Sequence, residues 1–151
     1  MTKRTWRRVA QRTGLLVGGL LLLAGHAQAG GEIPRNTSPA DARVYVISPS
    51  NGETVSNPIT VRFGLQGMGV APAGVARDAT GHHHLLIDTD LPPLDLPVPS
   101  DAQHRHFGGG QTETVIELPP GSHSLQMLLG DEFHVPHDPP VVSEKIVILV
   151  E

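Results

Sequence analysis

The feature that most narrows the fold is a period. Apolar and polar residues alternate with a period of two in Pro58-Ile59-Thr60-Val61-Arg62-Phe63-Gly64-Leu65, with Pro58 first, where a missing N–H is tolerated. The same alternation recurs over 43–47, 82–88, 112–118, 122–129 and 143–150. A helix repeats at 3.6 residues, whereas side chains on a strand point to opposite faces in turn. Turn signals separate the runs, among them Ser48-Pro49-Ser50-Asn51-Gly52 and Pro119-Pro120-Gly121. Six short strands with hardly any helical periodicity predict an all-β fold, an immunoglobulin-like antiparallel β-sandwich. Two long loops interrupt it. One, 89–110, holds Pro92, Pro93, Pro97 and Pro99 and ends in Gly108-Gly109-Gly110; the other spans 130–140. Loops of this length are usually functional or disordered.

Residues 1–29 read as a secretory signal peptide. Lys3, Arg4, Arg7, Arg8 and Arg12 form a basic start, an apolar run at 15–24 follows, and Ala27-Gln28-Ala29 supplies a small-x-small cleavage pattern. The apolar run is too short to span a bilayer, so no membrane span is expected after cleavage. The expected organisation is a signal peptide (1–29), a flexible N-terminal leader (30–42) and a β-sandwich domain (43–151), periplasmic or secreted.

Without the signal peptide, six basic residues face 15 acidic ones, a formal charge of −9 with neutral histidines. Nucleic acid is therefore not an expected partner, because phosphate binding relies on clustered Lys and Arg. Acidity suits cations, and equally suits solubility. The chain has no cysteine, which removes disulfides, blue-copper sites with a thiolate ligand, and cysteine nucleophiles. The domain must rest on an ordinary core, and a chain of about 120 residues buries roughly two-thirds of its unfolded surface.

Metal-capable chemistry is concentrated in histidine. Three are consecutive in Gly81-His82-His83-His84-Leu85-Leu86-Ile87-Asp88, and five follow downstream. Alternation places His83 with Leu85 and Ile87 on the more apolar face, toward the core. His82 and His84 project together from the other face, a suitable bidentate start for a metal site. Asp88 shares that face but lies about 13 Å from His84, too far to share a metal. His123 falls with Leu125, Met127 and Leu129 and faces inward, where an imidazole N–H finds a loop carbonyl. His83 and His123 are thus expected to be structural. The remaining pairs sit in the long loops: His104-Arg105-His106 and His134-Val135-Pro136-His137. If both loops meet the third strand, His82, His84, His104, His106, His134 and His137 gather at one end. Three or four neutral imidazoles suit Zn²⁺ or Cu²⁺, and such a site would fail below about pH 6 because the ligands must be deprotonated. Histidines at loop roots also tie loops to a scaffold, so spacing alone leaves both readings open.

Gly-Met-Gly-Val-Ala-Pro-Ala-Gly (67–74), the Gly81–Asp88 motif, His106-Phe107-Gly108-Gly109-Gly110-Gln111-Thr112-Glu113 and His134-Val135-Pro136-His137 occur in this order. Their combination resembles the bacterial domain-of-unknown-function family four-three-nine-nine, small exported proteins. The resemblance covers nearly all of the mature chain and brings no catalytic residue with it. A looser likeness is to periplasmic copper-binding β-sandwiches, which often use the mature N-terminal amine with a nearby histidine. Here no histidine follows Gly30 until His82, so that arrangement is not reproduced.

Two functions compete. The first is an exported protein that binds a divalent transition metal, Zn or Cu, through the histidine cluster. The second is a non-catalytic immunoglobulin-like envelope module that binds a protein, glycan or small ligand, its histidines being structural. The sequence points away from catalysis: it has no nucleophile elbow, phosphate-binding loop or His-Glu-x-x-His helix. Ser122 and His123 point to opposite faces and cannot act together. A metal-assisted hydrolase on His82 and His84, with Glu113 or Asp131 as base, is a third candidate.

Overall fold

Strands form where alternation lets one face be buried. The computed structural model describes residues 34–151, so the expected signal peptide and the first residues of the expected leader lie outside it. All nine regular elements of the described residues are strands: β1 (Arg43–Ser48), β2 (Thr54–Val55), β3 (Ile59–Gln66), β4 (Gly69–Val70), β5 (Thr80–Ile87), β6 (His104–His106), β7 (Glu113–Ile116), β8 (Gly121–Gly130) and β9 (Ile146–Val150). No helix among the described residues is long and apolar enough to cross a membrane.

The strands form two sheets. The smaller is antiparallel in the order β1-β3-β7; the larger runs β2-β9-β8-β5-β4, with β6 also on β5. The architecture is the expected β-sandwich. The core between the sheets takes Val44, Ile59, Val61, Phe63 and Ile116 from the smaller sheet. The larger contributes Leu85, Ile87, Leu125, Met127, Leu129 and Ile148. Burying each such side chain contributes roughly 1.5–3 kcal/mol.

The larger sheet is covered on its other face as well. Leu86 and Leu128 pack there with Val98 from the proline-rich connection. As a result β5 is buried from Gly81 to Ile87 on both faces, the pattern of a central strand rather than a half-solvated one. Histidines on its second face therefore lie under loops and not in open solvent.

Alternation did not point to β2, β4 or β6. Each is two or three residues long and exists because a partner strand holds it. The partner of both β4 and β6 is β5. β4 runs parallel to its first residues (Gly69↔Thr80, Val70↔Gly81). β6 runs antiparallel to its second half (His84↔His106, Leu85↔Arg105, Leu86↔His104). The connection after β8 turns back along that strand, with Leu129 N–H donating to Val141 O (3.0 Å) and Ser143 N–H to Met127 O (2.9 Å). Residues 35–38, within the expected leader, run beside this connection. Ser38 Oγ donates to Pro139 O (2.7 Å), and Arg35 Nε to Pro136 O (2.9 Å).

Candidate metal centre

The pleat of β5 separates its three consecutive histidines. His83 turns to the core, with its ring 5.3 Å from that of Phe63 and its Nδ1–H donating to the Gln111 carbonyl at 3.2 Å. Burial holds its pKa below the usual 6.5, partly offset by that carbonyl. His82 and His84 share the opposite face, 0 % and 1 % exposed, with ring centroids 4.8 Å apart.

A third imidazole arrives through β6. Backbone bonds from Ile87 N–H to Gln103 O (2.9 Å) and from Phe107 N–H to His83 O (3.1 Å) bracket the pairing. His84 and His106 are then a directly opposed pair without mutual backbone bonds, the kind whose side chains approach most closely. Their rings lie 5.2 Å apart.

The fourth comes from the turn after β8. Asp131 is fully buried and organises it: Oδ1 accepts the N–H groups of Phe133 (2.8 Å) and Val135 (3.0 Å), while its carbonyl accepts His134 N–H (3.0 Å). This wrap holds His134 at φ +66°, a left-handed conformation that a non-glycine residue adopts at a cost of order 1–3 kcal/mol. The result is a side chain aimed at β5, with His134 Nδ1 3.1 Å from His82 Nε2.

Donor nitrogens of His82, His84, His106 and His134 all lie within 4.8 Å of one another. Tetrahedral Zn–N bonds of about 2.0–2.1 Å would set donors about 3.3 Å apart, close to the 3.1 Å at which His82 and His134 now hydrogen-bond. Three features describe the cluster, the first shared in part with His83 and His137, each of which also has one buried ring nitrogen without a partner. Both ring nitrogens of His84, and His82 Nδ1, are buried without a hydrogen-bond partner, although buried polar groups normally have one. Burial first, then the neighbouring imidazoles, pushes the pKa of His82 down to about 4 and that of His84 down to about 2; His106 is lowered by burial and by His134. The buried imidazoles are therefore neutral at pH 7, the state a metal needs. Finally, glycines stand where a side chain would collide. A Cβ on Gly130 would sit 2.8 Å from His84 Cε1, and one on Gly108 would sit 2.6 Å from His106 Nε2.

The other two loop histidines are held elsewhere. His104 shares the face of His84 but lies opposite Leu86, and its Nδ1 pairs with Asp101 Oδ1 at 2.9 Å. His137 is buried, with Nε2–H donating to Thr80 O at 3.1 Å. His123 bonds Asp88 Oδ2 (2.7 Å) and Pro119 O (2.9 Å). Asp88 ends β5 at φ +52°, so its carboxylate serves His123 instead of continuing the face of His84. Of the two carboxylates considered as bases, Glu113 is exposed on the smaller sheet, paired with Arg62 at 3.2 Å. Asp131 is the residue whose role was missed: it shapes the His134 turn. The available signal was an Asp three residues ahead of a loop histidine, a common self-capping turn. Gly108 and Gly130 gave no signal of their own.

The chain is similar to one protein family over residues 61–151, which match the model described as a domain of unknown function (DUF4399). That span contains all four clustered histidines. No curated protein and no solved structure matches.

Proposed function

The chain belongs to the DUF4399 family; from that footing, and because the family's description assigns no activity, we propose from the site itself that this is an exported, periplasmic protein binding a divalent transition metal, Zn²⁺ or Cu²⁺. His82, His84, His106 and His134 are the proposed ligands. The export part rests on the basic, apolar and small-residue pattern of residues 1–29.

The observation that carries the metal reading is His84. An imidazole that is 1 % exposed, with neither nitrogen hydrogen-bonded, is costly to bury unless another group takes a lone pair. Three more imidazoles bring a nitrogen within 4.8 Å of it, and four neutral nitrogen donors suit Zn²⁺ or Cu²⁺. No carboxylate is among the four ligands, although the buried Asp131 stands in the turn that carries His134.

His83, His104, His123 and His137 each bond a carbonyl or carboxylate of a neighbouring segment. Those bonds favour structural roles for these four, as in an envelope module held together by imidazoles. No such bond exists for His84.

Calorimetry at neutral pH tests the reading. Saturable binding near one ion per chain is expected, and is abolished in the His82→Ala/His84→Ala double variant. Absence of binding at micromolar metal, or undiminished binding in the double variant, would sink it.

A further inference from the structure

We propose that the four-histidine centre is an exchange site, which gives up its cation by ligand substitution on the His106–His134 side to an incoming multidentate nitrogen- or oxygen-donor chelate. This rests on the metal-binding reading above and adds how the ion enters and leaves.

The ligands are unequal. His82 and His84 stand on β5, bonded along both edges, and are 0 % and 1 % exposed. The sandwich core lies behind that strand, and the backbones of Gly81 and Gly130 close in beside it. His106 is exposed and His134 is half-buried. Structural metal sites are closed by their ligands and surroundings; here two of the four ligands form the outer wall. A competing donor can reach the ion only from their side.

The two outer ligands also have the weaker supports. His106 rides on a three-residue strand, and His134 on a single turn at positive φ. Substitution at His134 is balanced: one metal–donor bond forms as one metal–nitrogen bond breaks, and the oxidation state does not change. The imidazole leaves neutral and the ion's charge goes with the acceptor.

What limits the turn's movement is the strap at 35–38. The Arg35 guanidinium bonds the carbonyls of Pro136 (2.9 Å) and His137, and lies 3.6 Å from the Asp138 carboxylate. Asn36 Nδ2 donates to Glu132 Oε2 at 2.6 Å. The strap thus grips the connection on both sides of His134 without supplying a donor to the cluster. It sets how readily that ligand swings out.

The protein is loaded with Zn²⁺ and mixed rapidly with rising excesses of EDTA while release is followed. The expected release rate increases in proportion to EDTA concentration, and Arg35→Ala releases several-fold faster at equal EDTA. A rate independent of EDTA, after saturable loading, overturns the exchange inference and leaves the metal reading intact. Failure to load overturns both. An Arg35→Ala variant that releases at the unaltered rate overturns the strap's part.

Discussion

His84 meets its surroundings with one lone pair and one N–H, neither of them bonded, and protonating it would add a buried charge. With its pKa near 2 and that of His82 near 4, the folded metal-free chain binds fewer protons than the unfolded one at acid pH. Their contribution to stability is therefore complete above the ordinary value of 6.5 and is lost as pH falls through about 4 for His82 and lower for His84. His123 has the opposite sign. Its hydrogen bond to Asp88 raises its pKa, and both its partners are acceptors, which favours the doubly protonated ring. Its contribution is complete below 6.5 and lost as pH rises through the folded value. Urea unfolding of metal-free protein should show stability falling from neutral pH toward about 4 in the parent chain; a flat profile there contradicts the first assignment. By the same chemistry, metal affinity should persist below the pH of about 6 expected of unperturbed imidazoles, as equilibrium dialysis can check. At Gly130 a methyl group would press on His84, so Gly130→Ala should lower metal affinity about 10–100-fold, the usual effect of disturbing a ligand's support. Alternation alone was enough to separate His83 from His82 and His84. It failed at Asp88, because a single positive φ rotates the carboxylate away from the face that a continuing strand would give it.

At the scale of elements, β5 was legible because its pattern is local, and β6 was not because its pattern is borrowed. His104-Arg105-His106 has no apolar alternation; only the free edge of β5 makes it a strand and so delivers His106 while sending His104 past the site to Asp101. Arg105 lies opposite Leu85, where a proline has no N–H to give. Arg105→Pro should cost much of the metal affinity while leaving the β5–β8 core signal in circular dichroism, since β8 pairs with the other edge. The His134 turn was illegible for a different reason: its direction depends on Asp131 accepting two backbone N–H groups. Removing that carboxylate strands them, so Asp131→Ala should destabilise the chain by about 1–3 kcal/mol in urea unfolding and weaken metal binding as well. Asp131→Asn keeps an acceptor oxygen and should recover most of both. Equal losses in the two variants would show that charge, not the turn's hydrogen bonds, is what Asp131 supplies.

For the whole molecule, a ligand that binds only the folded chain raises its stability, by about 2.7 kcal/mol at 100 times the dissociation constant. In a domain of this size that corresponds to a Tm increase on the order of 10 °C. Zn²⁺ should raise the melting temperature and EDTA should return it, with neither effect in the His82→Ala/His84→Ala variant. The placement of those histidines has a kinetic side too. β5 finds its main partner β8 from some forty residues away in sequence (His82↔Gly130, Ile87↔Leu125), and pairings between distant segments form late. Until they do, His82-His83-His84 is an open tripeptide able to chelate an ion with whatever donors are near. On the metal-binding reading, an unfolded chain would thus begin with an open chelating tripeptide and end with the same histidines ordered under loops. Refolding from urea should accordingly run faster with EDTA present than with excess Zn²⁺, even though Zn²⁺ stabilises the product.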